Sequence, residues 1–239
     1  MPEFLHSGTA KKRFVRGMFD DIALRYDFLN HLLSFGIDFY WRNRLVNALP
    51  VTLSAPVLDV ATGTGDVGVL IGKKRPEAVV VGLDYAYKMT RICTQKITRK
   101  NVNNFSVLQG DGENLPFENH SFSAITIAFG FRNIGHYREA LVEFNRVLAG
   151  DGKLLILEFA EPDSLLFNKL YSFYFRRILP FIGSLFSKSY AYRYLPESVE
   201  NFPSRMELHE MLSTSDFQNI KIRDFTFGAV TLIQATKVN

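Results

Sequence analysis

Between residues 14 and 50, apolar side chains recur three and four positions apart, with Phe19, Ile22, Ala23, Tyr26, Leu29 and Leu33 on one stripe. That is the period of an amphipathic helix. Gly36 is expected to split the segment into two helices, and Pro50 to end the second. Beyond Pro50 the pattern changes. Short, almost wholly apolar runs occupy 57–60, 79–83, 105–108, 124–129 and 154–159, with helical patterns near 66–75, 87–100 and 137–148. Runs that do not alternate suit strands covered on both faces, as in a parallel sheet. After Glu161-Pro162 the pattern predicts a long apolar-aromatic helix, then a loop-rich stretch with Pro196 and Pro203, then a helix near 205–214. Two last strands, near 218–226 and 228–236, have one glycine at their junction and read as an antiparallel pair. The expected fold is a doubly wound α/β sheet of seven strands, five parallel plus the closing pair, under an N-terminal helical cap. It is read as a single domain over residues 1–239: a cap over 1–50, a ligand-binding core over 55–160, and substrate-side elements over 161–239.

Composition narrows this picture. The chain has 239 residues, 47% of them hydrophobic and 22% charged, enough for one α/β domain with a full core. The lone cysteine, Cys93, allows neither an internal disulfide nor a cysteine-built metal site and fits a reducing compartment. No metal site is expected. The N-terminal stretch lacks a signal-peptide pattern, and no apolar run is long enough to cross a bilayer. The net charge of +4 is too small to argue for a nucleic-acid partner. Aromatic content is high, with 22 Phe and 10 Tyr. It suits either a Phe-rich core or a flat apolar site for an aromatic or lipid-like ligand.

The candidate chemistry centres on VLDVATGTGDVG, residues 57–68, where Gly63, Gly65 and Gly68 have the G-x-G-x-x-G spacing of a dinucleotide loop. Asp59 and Asp66 speak against that ligand, because a pyrophosphate at the helix N-terminus would be repelled by both. S-adenosylmethionine carries a sulfonium and an ammonium and no phosphate, so acids near the loop suit it, and glycine lets the backbone approach closely. Asp84 ends the second strand, where an acid accepts ribose hydroxyls. Asp111 follows the third at the level of an adenine, with Gly112 leaving space beside the ring. Methionine, ribose and adenine thus find polar groups at three successive strand ends. The plainer alternative is that Asp59 caps the loop and the others are turn formers.

Four stretches together carry a family resemblance: MFDDIALRYDFLNHLLSFGIDFYWR (18–42), VLDVATGTGD (57–66), ITIAFGFRNI (125–134) and YRYLPESVENFP (192–203). The chain resembles the class I S-adenosylmethionine-dependent methyltransferases, with their Rossmann-like fold, and among them the ubiquinone/menaquinone biosynthesis C-methyltransferase family, over about residues 14–237. The resemblance implies S-adenosylmethionine as methyl donor and a polyprenylated hydroquinone as acceptor: demethylmenaquinol, or the benzoquinol precursor of ubiquinone, or both. The ATGTGD form of the loop leans toward the menaquinone branch. Thr64, Asp84, Asp111 and Gly112 fall on the family's cofactor positions. With Asp59, Gly63, Gly65 and Ala128 they form the candidate cofactor set. Asp111-Gly112 stands where Asn-Ala or Asp-Ala is commoner. Gly68 stands where a larger residue is common, so the third glycine of the spacing reads as incidental.

Arg132 and Asn133, after the fourth strand, are the candidate catalytic pair. An Arg there stabilises a phenolate or relays a proton through water, and an Asn orients a hydroxyl. Their alternative role is to brace the sheet end. Tyr26, on a helix that the resemblance folds over the cofactor, and Arg193 and Tyr194, in YRYLPES, are the candidate substrate contacts. His31, His120, His136 and His209 read as surface or capping residues. The run 165–186 contains Lys169, Arg176 and Arg177. It suits an isoprenoid groove, a membrane-surface helix, or packing on the domain or a second subunit. A cytoplasmic location is expected, leaving open contact with the inner face of the membrane and a homodimer. A more distant reading is an NAD-dependent oxidoreductase. It rests on the glycine spacing and Asp84, and is opposed by Asp59 and the lack of a Y-x-x-x-K pair. A methyltransferase with another acceptor and a non-enzymatic binding protein are further rivals.

Overall fold

The structure, a computed structural model, describes residues 8–162, 164–174, 177 and 190–238. The cap comprises α1 (Gly8–Ile22), a 3-10 turn (Ala23–Arg25), α2 (Tyr26–Leu33) and α3 (Ile37–Val46). Gly36 separates α2 from α3 as expected. The apolar stripe hid the extra break at Ala23–Arg25, because a 3-10 turn keeps neighbouring residues near the same face. Helix α1 begins earlier than the stripe, at Gly8, whose amide donates to the Gly135 carbonyl at 3.0 Å.

Strands and helices then alternate: β1 (Val57–Val60), α4 (Asp66–Lys74), β2 (Val80–Asp84), α5 (Tyr87–Lys100), β3 (Phe105–Gln109), β4 (Phe122–Ala128), α6 (Tyr137–Val147) and β5 (Leu148–Phe159). The chain continues through α7 (Leu165–Phe173), α8 (Tyr190–Glu200), α9 (Arg205–Ser213), β6 (Phe217–Phe225) and β7 (Val230–Lys237). The sheet order is β3-β2-β1-β4-β5-β7-β6. Strands β1 to β5 pair in parallel, and β7 runs antiparallel to both β5 and β6. This is the expected seven-stranded, doubly wound sheet. Strand β5 starts six residues earlier than its apolar run, because the polar Gly150-Asp151-Gly152 stretch reads as a turn although it lies within the strand.

Strands β1, β2, β4 and β7 and the second half of β5 are buried because helices cover both faces, whereas the edge strands β3 and β6 are largely exposed or half-buried. Trp41 and Leu45 of α3 and Ile71 of α4 pack on one face, and Leu141 and Phe144 of α6 with Leu208 of α9 pack on the other. Each such side chain contributes roughly 1.5–3 kcal/mol on burial. Helix α9 starts on a capping box in which Ser204 and Glu207 satisfy each other's backbone amides. The stretch expected to be loop-rich holds α8, with Pro196 inside it. A proline removes one helical hydrogen bond. Tyr194 and Val199 offset that loss by packing against Val15, Met18 and Leu29 of the cap. Of the run 165–186, Leu165–Phe173 is helical, and most of the remainder lies outside the described residues. Among the described residues no helix is long and apolar enough to cross a membrane.

Candidate active site

The glycine loop turns between the end of β1 and α4. Gly65 sits at φ 88°, and a Cβ there would lie 2.4 Å from Cys93 Sγ. A Cβ on Gly68 would lie 2.2 Å from the Phe105 ring. Gly68 is therefore not incidental, because it lets α4 lie against Phe105 of β3. That requirement is invisible without knowing which ring α4 packs on.

Both loop acids have partners within the protein. Asp59, buried in β1, accepts from Thr62 Oγ1 at 2.6 Å and from Thr126 Oγ1 of β4 at 2.7 Å. Burial pushes its carboxyl up to about 6 despite these bonds. Asp66 opens α4 and accepts from Lys96 Nζ at 2.6 Å, with Arg42 Nη2 3.6 Å away. Burial would raise Asp66, but Arg42 and Lys96 hold it below the usual carboxylate range. Lys96 also donates to Asp27 Oδ2 at 2.6 Å and to Thr64 Oγ1 at 3.0 Å, and Thr64 in turn donates to Asp27. His31 joins the cluster through Asp38 at 2.7 Å rather than lying on the surface or at a cap. The loop is thus tied to the cap by charges from α2, α3 and α5.

At the end of β2, Asp84 accepts from the amides of Gly63 at 2.7 Å and Ala86 at 2.8 Å. Burial pushes it up to about 6 as well. Asp111 follows β3 and pairs with Lys12 of α1, which also reaches Glu113 at 3.2 Å. Gly63, Asp84, Asp111, Gly112, Ala128 and Asn133 line one cleft, and Lys12, Arg16 and Phe19 of α1 close over it. Asp59 and Thr64 line an adjoining recess with Gly63 and Ala128, while Gly65 faces Cys93 and Phe105.

A second cavity, of about 360 Å³, shares Phe19, Tyr26 and Phe129 with the cleft. Trp41, Phe129 and Phe159 form an aromatic wall, with the Phe129 and Phe159 centroids 4.7 Å apart. Arg132, in the 3-10 turn Phe131–Asn133, lines this cavity, as does Tyr194. Arg132 Nη1 donates to Glu158 Oε1 at 2.6 Å and to the Phe129 carbonyl at 2.5 Å, and its guanidinium lies 5.4 Å from the Phe159 ring centre. Its Nε is buried and unpartnered among the described residues. Burial would lower Arg132, but Glu158 keeps it above its ordinary range, so it is a permanent cation. Tyr194 donates to Asn133 Oδ1 at 3.1 Å, and burial pushes the phenol up to about 12. The side chain of Arg193 lies outside the described residues.

Sequence reasoning missed Glu158, Lys96, Arg42 and Asp38. Glu158, 0% exposed at the end of β5, had one legible signal, a lone carboxylate in the apolar run LLILEF. A buried acid of that kind needs a cation.

This sheet order, with a glycine loop after β1 and an acid ending β2, is the fold of the S-adenosylmethionine-dependent methyltransferases. A Thermotoga maritima structure described as an S-adenosylmethionine-dependent methyltransferase, possible histamine N-methyltransferase, superimposes with a TM-score of 0.67 at 18% identity, over 92% of this chain and 99% of that one. The [4+2]-cyclase SpnF superimposes with a TM-score of 0.70 at 12% identity, over 94% and 95%. Fold alone therefore does not fix the reaction. The model of the ubiE/COQ5 methyltransferase family matches residues 7–237, and the chain belongs to that family. Among its relatives, the ubiquinone/menaquinone biosynthesis C-methyltransferase UbiE of Geobacter sulfurreducens is 43% identical, over 96% of this chain and 90% of the relative. The demethylmenaquinone methyltransferase of Thermus thermophilus is 44% identical, over 90% and 97%.

The chain is thus an S-adenosylmethionine-dependent methyltransferase, and the cleft fits that cofactor. Gly63 and Gly112 keep its floor open, and Asp84 presents a buried carboxylate at the strand end. Around the loop, Asp27, Asp38 and Asp66 share two permanent cations among the described residues, Arg42 and Lys96, with His31 beside Asp38, an excess of negative charge suited to a ligand with net positive charge.

Proposed function

We propose that the chain methylates a ring carbon of a polyprenylated hydroquinone, converting demethylmenaquinol to menaquinol. The supporting observation is the aromatic cavity, which adjoins the cofactor cleft at Tyr26 and Phe129 and holds Arg132 in its wall. Flat aromatic walls suit a fused ring and an apolar tail. The name of the Thermus thermophilus relative agrees with this acceptor.

S-adenosylmethionine, when bound, supplies a methyl group on a sulfonium. The acceptor carbon must therefore be electron-rich, which the hydroquinone offers and the oxidised quinone does not. A ring carbon ortho to a hydroxyl becomes nucleophilic as that hydroxyl loses its proton. Arg132 favours that loss, because a fixed cation in a site of low dielectric stabilises the phenolate. Glu158 and the Phe129 carbonyl hold the guanidinium still, so its charge stays fixed in the cavity wall. Asn133, fixed by Tyr194, orients the hydroxyl or a water, and water at this turn carries the ring proton away. Tyr26 borders both volumes and orients the ring where they meet.

At the cavity mouth Phe35 is 77% and Phe227 70% exposed. We read this apolar rim as the part that meets the inner face of the membrane in an otherwise cytoplasmic protein. Co-sedimentation with vesicles, comparing wild type with a Phe35→Ser, Phe227→Ser variant, tests that contact. A homodimer through the same rim would appear in light scattering and vanish on adding detergent.

The acceptor is tested by mass spectrometry with the donor and four acceptors: reduced and oxidised demethylmenaquinone, and the reduced and oxidised ubiquinone precursor. Gain of one methylene only on the reduced naphthoquinol is expected. Gain on both reduced rings would make the chain a dual-pathway enzyme. Turnover of an oxidised ring would overturn the phenolate mechanism.

A further inference from the structure

S-adenosylmethionine is a zwitterion at its amino-acid end, so a cleft that holds it needs a cation for the α-carboxylate as well as groups for the ammonium. The recess beside the glycine loop is lined by Asp59, Ala61, Thr62, Gly63, Thr64, Asp66 and Val67 of the β1–α4 turn, together with Tyr26, Ala128 and Arg42. Arg42 is its one cationic side chain among the described residues. Lys96 is close by, but its ammonium is spent on Asp27, Asp66 and Thr64.

Arg42 is built to present a guanidinium edge. It lies on α3, one turn after Asp38, and its Nη1 donates to Asp38. Asp38 is itself fixed by Ser34 Oγ at 2.8 Å and His31 Nδ1 at 2.7 Å. The Phe129 ring centre lies 5.7 Å from the guanidinium carbon. Among the described residues Nη2 has one approach, to Asp66 at 3.6 Å, an ion pair too long for a hydrogen bond, and Asp66 already accepts from Lys96 at 2.6 Å. A planar guanidinium hydrogen-bonded on one side and, on the other, ion-paired with Asp66 at 3.6 Å but without a hydrogen bond among the described residues can turn that edge to a carboxylate.

We propose that Arg42 is the counter-ion of the donor's α-carboxylate, and that Asp38 is the positioning residue that holds it there. The assignment is independent of which acceptor is methylated. It gives the cap a direct part in cofactor binding, since Arg42 comes from α3 and not from the sheet.

The test is a binding cycle read by calorimetry. S-adenosylhomocysteine is compared with its decarboxylated counterpart, S-adenosyl-3-thiopropylamine, on wild type and Arg42→Met. Wild type is expected to prefer the carboxylate ligand on the order of 10–100-fold, as for a charge-assisted hydrogen bond. In Arg42→Met that preference should collapse to within about threefold, while the affinity for the amine stays near wild type. An unchanged preference in Arg42→Met, or none in wild type, overturns the assignment. So does loss of both ligands in a variant that still melts cooperatively, because that marks Arg42 as purely structural. If Arg42→Met does not fold, Arg42→Lys keeps the charge toward Asp38 and loses the fork. It should show an intermediate preference, and the absence of any preference there overturns the assignment.

Discussion

The cleft proposed for the cofactor takes its floor from the ends of four parallel strands: Gly63 after β1, Asp84 ending β2, Asp111 and Gly112 after β3, and Ala128 ending β4. The aromatic cavity draws on α1, α2, α3, the ends of β4 and β5, α7, α8 and the β6–β7 turn. The cleft is a property of the sheet's edge, which sets strand ends side by side wherever the order reverses. The cavity is enclosed only when the cap and the C-terminal helices meet above that edge. A site of the first kind is spelled in short motifs, and one of the second kind is spread over most of the chain.

Substituting Arg132 separates the two regions most sharply. Arg132→Met removes the cation from the cavity wall and strands Glu158, yet touches no group of the cleft floor. It should lower kcat by roughly 10²–10³-fold with donor affinity in calorimetry within about twofold of wild type. Equal loss of donor binding would mean that the two regions do not act separately.

Gly68→Leu attacks the opposite side. With the Phe105 ring 2.2 Å from the Cβ position, overpacking should cost about 3 kcal/mol and lower the melting temperature by roughly 6–12 °C. A melting curve like that of wild type would show that α4 can slide away from β3.

The buried carboxylates give a smaller effect with a definite sign. Burial lifts Asp59 and Asp84 from 3.8 to about 6. Between those values the folded protein binds more protons than the unfolded chain. Their contribution to stability is therefore full below 3.8 and is lost as pH rises through about 6. Donor binding runs the other way, because ionised carboxylates favour a cationic ligand that donates hydroxyls. The thermal shift given by S-adenosylmethionine should grow from pH 5 to pH 7, by at most about tenfold in affinity per pH unit for each carboxylate. Asp84→Asn should flatten that slope, and an equal slope in the variant would remove Asp84 from the effect.

Tyr194→Phe tests the seam between the regions. It deletes the 3.1 Å bond that fixes Asn133 while keeping the ring that packs on α1. The neutral bond is worth about 1 kcal/mol, so kcat should fall on the order of fivefold with little change in melting temperature. A loss as large as that of Arg132→Met would promote the tyrosine from support to direct participation.

The sequence by itself determined the sheet, the number and direction of its strands, and the row of polar and glycine residues at their ends that line one cleft. The period of apolar residues decides whether a segment is helix or strand, and parallel strands bring their own ends together. Arg132 and Asn133 were singled out on the same ground, as residues just past a strand, and on the family resemblance. Only the tertiary structure decided the partners. Nothing local in the chain links Lys96 to Asp27 and Asp66, Glu158 to Arg132, or Arg42 to the loop recess, because each pair joins segments distant in sequence: the cap's docking brings Asp27 and Arg42 to the loop, and the packing of the sheet and its helices brings Lys96 to Asp66 and Glu158 to Arg132. It also decided that Gly68 must be small and that Pro196 belongs to a helix, since neighbours distant in sequence set the space around each. Burial explains the division. It makes a charge seek a partner and a ring seek room, and in this chain both were found far along the sequence.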